Sequence, residues 1–328
     1  MSKARGLVLI PYFGKLPNIF PFWVKTAALI RQIEWLILTD AEIPCELPQN
    51  VKVKKCLFAD VQTRIRQNFP YAVKIDSPWG LCAFRPAYGE IFKDEFAGYE
   101  FWGYGDLDVL YGNLDKYLTD AAFDRYDKLF RWGHLSLIRN NEFGRTVYSR
   151  QLSDSRLNCR DAFNGGVACF DERMFNDLIE ENGGTIDDGQ PIANFHQREF
   201  LMRFFAPGPR TRPTAYRVQE PNNLRNVFLW DSNGLFRHYV NQAGAVAHEE
   251  FSYIHFCRRP MRIEKVTPNE SGFAIVPNKI VSRPSTCGVA FIRQNTRKKI
   301  YWAYILPRLK PAHLYKRFKN RHVVHHEK

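Results

Sequence analysis

Apolar residues come in short unbroken runs, separated by polar stretches with helical spacing. Residues 6–10 (Gly-Leu-Val-Leu-Ile) predict a buried strand closed by Pro11, with a loop through Tyr12 to Gly14. Residues 18–28, rich in aromatics, predict a helix. Residues 33–40 predict a second strand ending in the polar pair Thr39-Asp40, and residues 51–53 a short third. Residues 60–69 have helical spacing with Asp60 as N-cap, and residues 87–92 form another helix after Ala83-Phe84-Arg85-Pro86. Residues 99–107 predict a fourth strand that carries Asp106 to its end. Strands alternating with helices predict an α/β fold with a mostly parallel central sheet flanked by helices. Ligands of such sheets sit at the carboxyl ends of strands, and Pro11-Tyr12, Asp40, and Asp106 with Asp108 all fall there.

The second half alternates less regularly. Residues 129–138 predict another strand region, and Phe163-Asn164-Gly165-Gly166 a polar turn running into a buried strand. Residues 171–182 predict a helix ended by Gly183-Gly184. Residues 207–221 are proline-rich and irregular, residues 227–240 predict a hairpin turned by Asp231 to Gly234, and residues 251–256 a last strand carrying His255. From Arg293 onward eleven lysines or arginines face one acidic residue, Glu327, so a catalytic domain is expected over 1–292 and a basic aromatic tail over 293–328. Aromatics among cations suit an anionic membrane surface; a tail packed on the domain stays open as the other reading.

The chemistry concentrates at Asp106 and Asp108. Residues two apart on extended backbone face the same way, so two hard oxygen ligands converge, a pattern suited to a divalent cation that also binds phosphate. Gly103, Gly105 and Gly112 around the pair are expected to allow tight turning or close ligand approach. The formal net charge of +13 favours anionic partners. Seven cysteines without a CxxC pair argue for a reducing compartment. With no secretory leader expected and no apolar run of membrane-spanning length, the expected location is cytoplasmic, with peripheral attachment to the inner face of the plasma membrane through the tail.

Taken together, Gly103-Tyr104-Gly105-Asp106-Leu107-Asp108, Phe163-Asn164-Gly165-Gly166-Val167 and Tyr253-Ile254-His255-Phe256 occur in an order that resembles GT-A fold glycosyltransferases. The resemblance is nearest to the retaining enzymes of family 8 and to bacterial sugar transferases of surface-polysaccharide synthesis. It covers roughly residues 6 to 262. It implies a metal set of Asp106, Asp108 and His255 holding Mn²⁺ or Mg²⁺, with Asp106 and Asp108 catalytic through that ion. It implies a nucleotide-sugar donor, UDP-linked, met by Pro11, Tyr12, Asp40, Arg85, Asp106 and Arg258. Asn164, Gly165, Gly166, Asp187 and Asp188 would face the sugar or a glycan or lipid-linked acceptor, with Asp188 also a catalytic candidate. Asp40 as a helix cap and Asp187-Asp188 as a solvated loop remain open. Two departures stand out: Phe256-Cys257-Arg258-Arg259 replaces the family's Gly and Lys after the histidine, and Ala83 stands where an acidic residue is common. The rival readings are a nucleotidyltransferase using the same aspartates and a basic nucleic-acid-binding protein. Gly14-Lys15 is a poor phosphate loop for the first. The second lacks any nucleic-acid motif, so no nucleic-acid partner is expected.

Overall fold

A computed structural model describes residues 4–153, 158–165, 170–187, 189–195, 205–207, 216–218, 225–257 and 261–296. In chain order the strands are β1 Gly6–Pro11, β2 Ile33–Thr39, β3 Val51–Lys55, β4 Phe101–Gly105, β5 Val109–Tyr111, β6 Lys128–Leu129, β7 Leu135–Arg139, β8 Ile186–Asp187, β9 Ile192–Asn194, β10 Phe205–Pro207, β11 Tyr216–Val218, β12 Asn226–Asp231, β13 Gly234–Val240, β14 Val246–Phe251, β15 Tyr253–His255, β16 Arg262–Glu264, β17 Gly272–Val276 and β18 Lys279–Ser282.

The first seven-stranded sheet has the order β3-β2-β1-β4-β7-β6-β8. β3, β2, β1 and β4 run parallel, β7 is antiparallel to β4 and β6, and β8 is parallel to β6. The expected α/β class and mostly parallel sheet are therefore observed. Strand β1 shows why its run is unbroken: Leu7 and Leu9 enter one core, Val8 and Ile10 the other, so both faces are covered. The first of these cores lies under the segment Pro78–Ala87 and the helix Phe175–Glu181; the second is filled by α1, Phe20–Ala27.

Two of the smaller sheets build on this base, and β10 and β11 pair antiparallel in a third. β5-β15-β9 has three strands, and β14-β13-β12-β17-β18-β16 has six. Trp230 and Phe273 of the six-stranded sheet join the same core as Phe22 and Trp23 of α1, with Phe22 and Phe273 ring centroids 5.1 Å apart. Trp230 Nε1 donates to Tyr111 O at 2.7 Å, tying this sheet to β5.

Several expectations need correction. β4 ends at Gly105, so Asp106 and Asp108 sit on the bend that links β4 to β5 and not on the strand. The bend is forced because β5 leaves the first sheet to pair with β15. Asp60 is not an N-cap: α2 is Phe58–Asn68, and the Asp60 carboxylate reaches back to Leu57 N at 2.8 Å from the third helical position. The strand expected over 251–256 is split at Ser252, its two halves pairing in different sheets. The hairpin expected over 227–240 is one part of a six-stranded sheet that β14, β16, β17 and β18 complete. The tail expected from residue 293 lies mostly beyond the described part: the helix Val289–Asn295, whose Ile292 is buried, spans its first residues, and residues 297–328 lie outside the described part. Gly103 and Gly112 serve strand packing rather than a ligand: a Cβ at Gly103 would strike Ser136 O of β7, and one at Gly112 would strike Phe251 O.

Lys128 is fully buried in β6, its Nζ 2.7 Å from Asn176 Oδ1 and 4.9 Å from the Phe175 ring centre. Burial pushes its ammonium down to about 7, against the pull of Asp171. In the unfolded chain this lysine keeps its proton to about 10.4, so the unfolded state binds more protons between these values. Stability therefore rises with pH through that window, by at most about 1.4 kcal/mol per pH unit. Urea unfolding of wild type and Lys128→Met across pH 7 to about 10 should show wild type gaining on the variant as pH rises; a constant difference would refute the buried amine.

Candidate metal centre

The bend after β4 is held by its backbone from three directions. Asp106 N donates to His134 O at 3.1 Å, beside β7. Trp23 Nε1 of α1 donates to Asp106 O at 3.2 Å. Phe256 N, just after β15, donates to Asp108 O at 2.9 Å. Leu107, between the aspartates, is buried in the core, which leaves the flanking side chains to face outward together.

β15 supplies the third member. His255 lies opposite Val109 in the antiparallel pair and opposite Asn194 in the parallel one. Its Nε2 is 3.4 Å from Asp108 Oδ1 and 3.8 Å from Asp106 Oδ2. The three ligand atoms lie within 4.8 Å of one another. His255 Nδ1 is 2.9 Å from Asn194 Oδ1, a pure acceptor, so Nδ1 carries a proton and directs it there. The Nε2 lone pair is then free to face the carboxylates, the arrangement of a metal-ligating histidine. Burial works to lower the basicity of this imidazole, but Asp108 and then Asp106 outweigh it and raise it. A cation is thus favoured between these groups, whether a proton or a metal. Two carboxylate oxygens and one imidazole nitrogen fit a hard or borderline divalent ion such as Mg²⁺ or Mn²⁺.

Sequence reasoning missed two neighbours. His134 stacks on His255, centroids 4.1 Å apart at 24°, with Trp132 on a further stack at 5.6 Å. Burial holds His134 neutral, well below its usual range, with His255 adding to the effect. Neither of its nitrogens has a hydrogen-bond partner, so the ring packs flat against His255. The second is Asp171, which the helical pattern of 171–182 presents as an ordinary first-turn acid. A π-turn, Phe170–Met174, turns it inward instead, where it is buried against Arg85.

Arg85 lies in the segment Pro78–Ala87. Its Nη2 pairs with Asp106 Oδ1, and its Nη1 donates to Asp171 Oδ2 and Gly133 O, both at 2.9 Å. Phe84 beside it stacks on Phe163 at 4.5 Å, which sets the Phe163-Asn164-Gly165 turn against the Arg85 segment.

The other expected site residues are placed as follows. Pro11 closes β1, and Tyr12 N donates to Leu38 O at 2.8 Å. Asp40 Oδ1 accepts from Gly14 N at 2.9 Å, and both line an open cleft of about 600 Å³ with Lys15, Asn18 and Pro44. That cleft sits at the carboxyl ends of β1 and β2, the same edge of the sheet as Asp106. Asn164 and Gly165 close the helix Cys159–Phe163, with Gly165 at φ +82°. Asp187 Oδ1 accepts from Gly189 N at 3.2 Å, a local turn. Gly166, Asp188 and Arg258 lie outside the described residues.

The profile of a family of unknown function, DUF6625, matches residues 8–284, and the chain belongs to that family. A search of curated proteins found no match. Among solved structures the chain is similar to an active-site mutant of LgtC, at 12% identity and a TM-score of 0.36, covering 91% of this chain and 99% of that one. It is also similar to the galactosyltransferase LgtC in complex with donor and acceptor sugar analogs, at 12% identity, a TM-score of 0.34 and coverages of 76% and 87%. The apo-form glycosyltransferase GlyE of Streptococcus pneumoniae TIGR4 is similar at 11% identity and a TM-score of 0.30, over 59% and 47%. Likeness this remote leaves the chemistry to be argued from the residues above.

Mn²⁺ titration followed by thermal shift should stabilise wild type and leave Asp108→Ala unmoved. Asn194→Ala, which frees the His255 ring, should weaken the ion's hold by about ten- to a hundredfold. Equal Mn²⁺ affinity in all three proteins would remove the metal assignment.

Proposed function

We propose that this chain is a metal-dependent glycosyltransferase of GT-A type, taking a sugar from a nucleotide-diphosphate donor. The observation that carries the reading is the convergence of Asp106, Asp108 and His255 at the carboxyl edge of a parallel sheet, beside the cleft at the ends of β1 and β2. Four parallel strands, an acidic pair after the fourth and one reversed strand beside it also agree with the GT-A resemblance.

The roles divide by position. Asp108 and His255 hold the ion; Asp106 does so with one oxygen while Arg85 takes the other. A divalent ion bound there supplies positive charge to a departing diphosphate. The cleft bounded by Gly14 and Asp40 takes the nucleoside, its loop fixed by the Asp40–Gly14 hydrogen bond. Pro11 and Tyr12, at the end of β1, are further donor-side candidates from the sequence. Asn164, Gly165 and Gly166 belong to the sugar side, with Asp187, Asp188 and Arg258 as further candidates from the sequence. Retention of anomeric configuration, uridine as the base, a hexose donor, and a glycan or lipid-linked acceptor of bacterial surface polysaccharide all rest on the family 8 resemblance alone. Attachment to anionic membrane through residues 297–328 rests on their composition. No helix among the described residues is long and apolar enough to cross a membrane.

A panel of nucleotide sugars with Mn²⁺ tests the donor. UDP-hexoses should raise the melting temperature and be slowly hydrolysed, because a ligand that binds only the folded state stabilises it. Stabilisation by GDP- or CMP-sugars alone would overturn the uridine assignment, and no donor effect at all would overturn the enzyme reading. Deleting residues 297–328 should abolish co-sedimentation with anionic vesicles at low salt and spare donor hydrolysis. Failure of the full chain to sediment would make the tail a structural element.

A further inference from the structure

We infer that the buried pair Asp171–Arg85 positions Asp106 for ion binding, so that Asp171 tunes the metal centre without touching it. This rests on the reading of Asp106, Asp108 and His255 as that centre.

An ionised carboxylate as buried as Asp171, 5% exposed, is costly unless fully partnered. Two contacts fix it, and a glycine leaves it room. Tyr104 Oη of β4 donates to Asp171 O at 2.9 Å, so the π-turn is tied to the strand that delivers Asp106. Arg85 Nη1 donates to its carboxylate at 2.9 Å. Gly133 leaves the room: a Cβ there would come within 2.6 Å of Asp171 Oδ2. Gly133 O accepts from the same Nη1, which holds that end of the guanidinium twice. The guanidinium is planar and rigid, so fixing Nη1 aims Nη2, and Nη2 meets Asp106 Oδ1. Asp106 is left to offer Oδ2, the oxygen that faces His255 Nε2.

A structural salt bridge alone predicts no link between Asp171 and ion affinity; an aimed Asp106 does.

The test is Mn²⁺ affinity, read from the EPR signal of free ion, beside a melting curve for each variant. The double variant Arg85→Met/Asp171→Asn removes one charge of each sign, so the net charge at the site stays the same while the aiming of Asp106 is lost. It should bind Mn²⁺ about ten- to a hundredfold more weakly than wild type. Asp171→Ala should do likewise, and Asp171→Asn, which keeps an acceptor for Nη1, should recover most of the loss. Wild-type affinity in either the double variant or Asp171→Ala, with the protein folded, overturns the inference. Asp108→Ala is the control for the underlying reading: if it binds Mn²⁺ as wild type does, the metal centre itself falls, and the positioning pair with it.

Discussion

Repulsion between two carboxylates on one short bend is the constraint around which this molecule is arranged. Asp106 and Asp108 are both partly buried, which raises the cost of their mutual proximity. The fold answers with three kinds of positive partner. Arg85 takes one oxygen of Asp106, the imidazole of His255 faces both acids, and the remaining gap suits a cation. Removing any one of these would leave the others holding charges that the buried setting tolerates poorly.

That arrangement needs precise backbone, and the three sheets supply it. β4 brings the bend to the edge, α1 and β7 fix Asp106 at its carbonyl and amide, and the departure of β5 into a second sheet turns the chain so that Asp108 meets β15. β9 then sets Asn194 beside His255. The six-stranded sheet joins in through Trp230, which pins the carbonyl of Tyr111 at the far end of β5. Chemistry at the edge of one sheet is thereby stabilised by packing among all three.

Much of the first sheet was legible because its strands are buried on both faces and read as unbroken apolar runs: Leu7 to Ile10 and Trp35 to Leu38 are examples. The metal triad was legible for a different reason, since charge interrupting an aromatic run is conspicuous. What could not be read was the partnership of distant residues. Arg85 advertises a cation but not that its partners are Asp106 and Asp171. Asp171 looks like an acid at a helix start until the π-turn rotates it inward. Asn194 and His134 carry no local pattern, because their meaning comes from strand pairings separated by many residues. The split of residues 251–256 at Ser252 was hidden for the same reason: both halves are apolar, and only pairing tells them apart.

Pulsed EPR of Mn²⁺ in the full chain, with and without UDP, tests the central claim most directly. Ligation by His255 predicts a nitrogen coupling to the bound ion that His255→Ala removes, and a phosphorus coupling that appears when UDP is added. Mn²⁺ held with no nitrogen coupling, or UDP bound with no phosphorus near the ion, would contradict a centre that joins this protein to a nucleotide diphosphate.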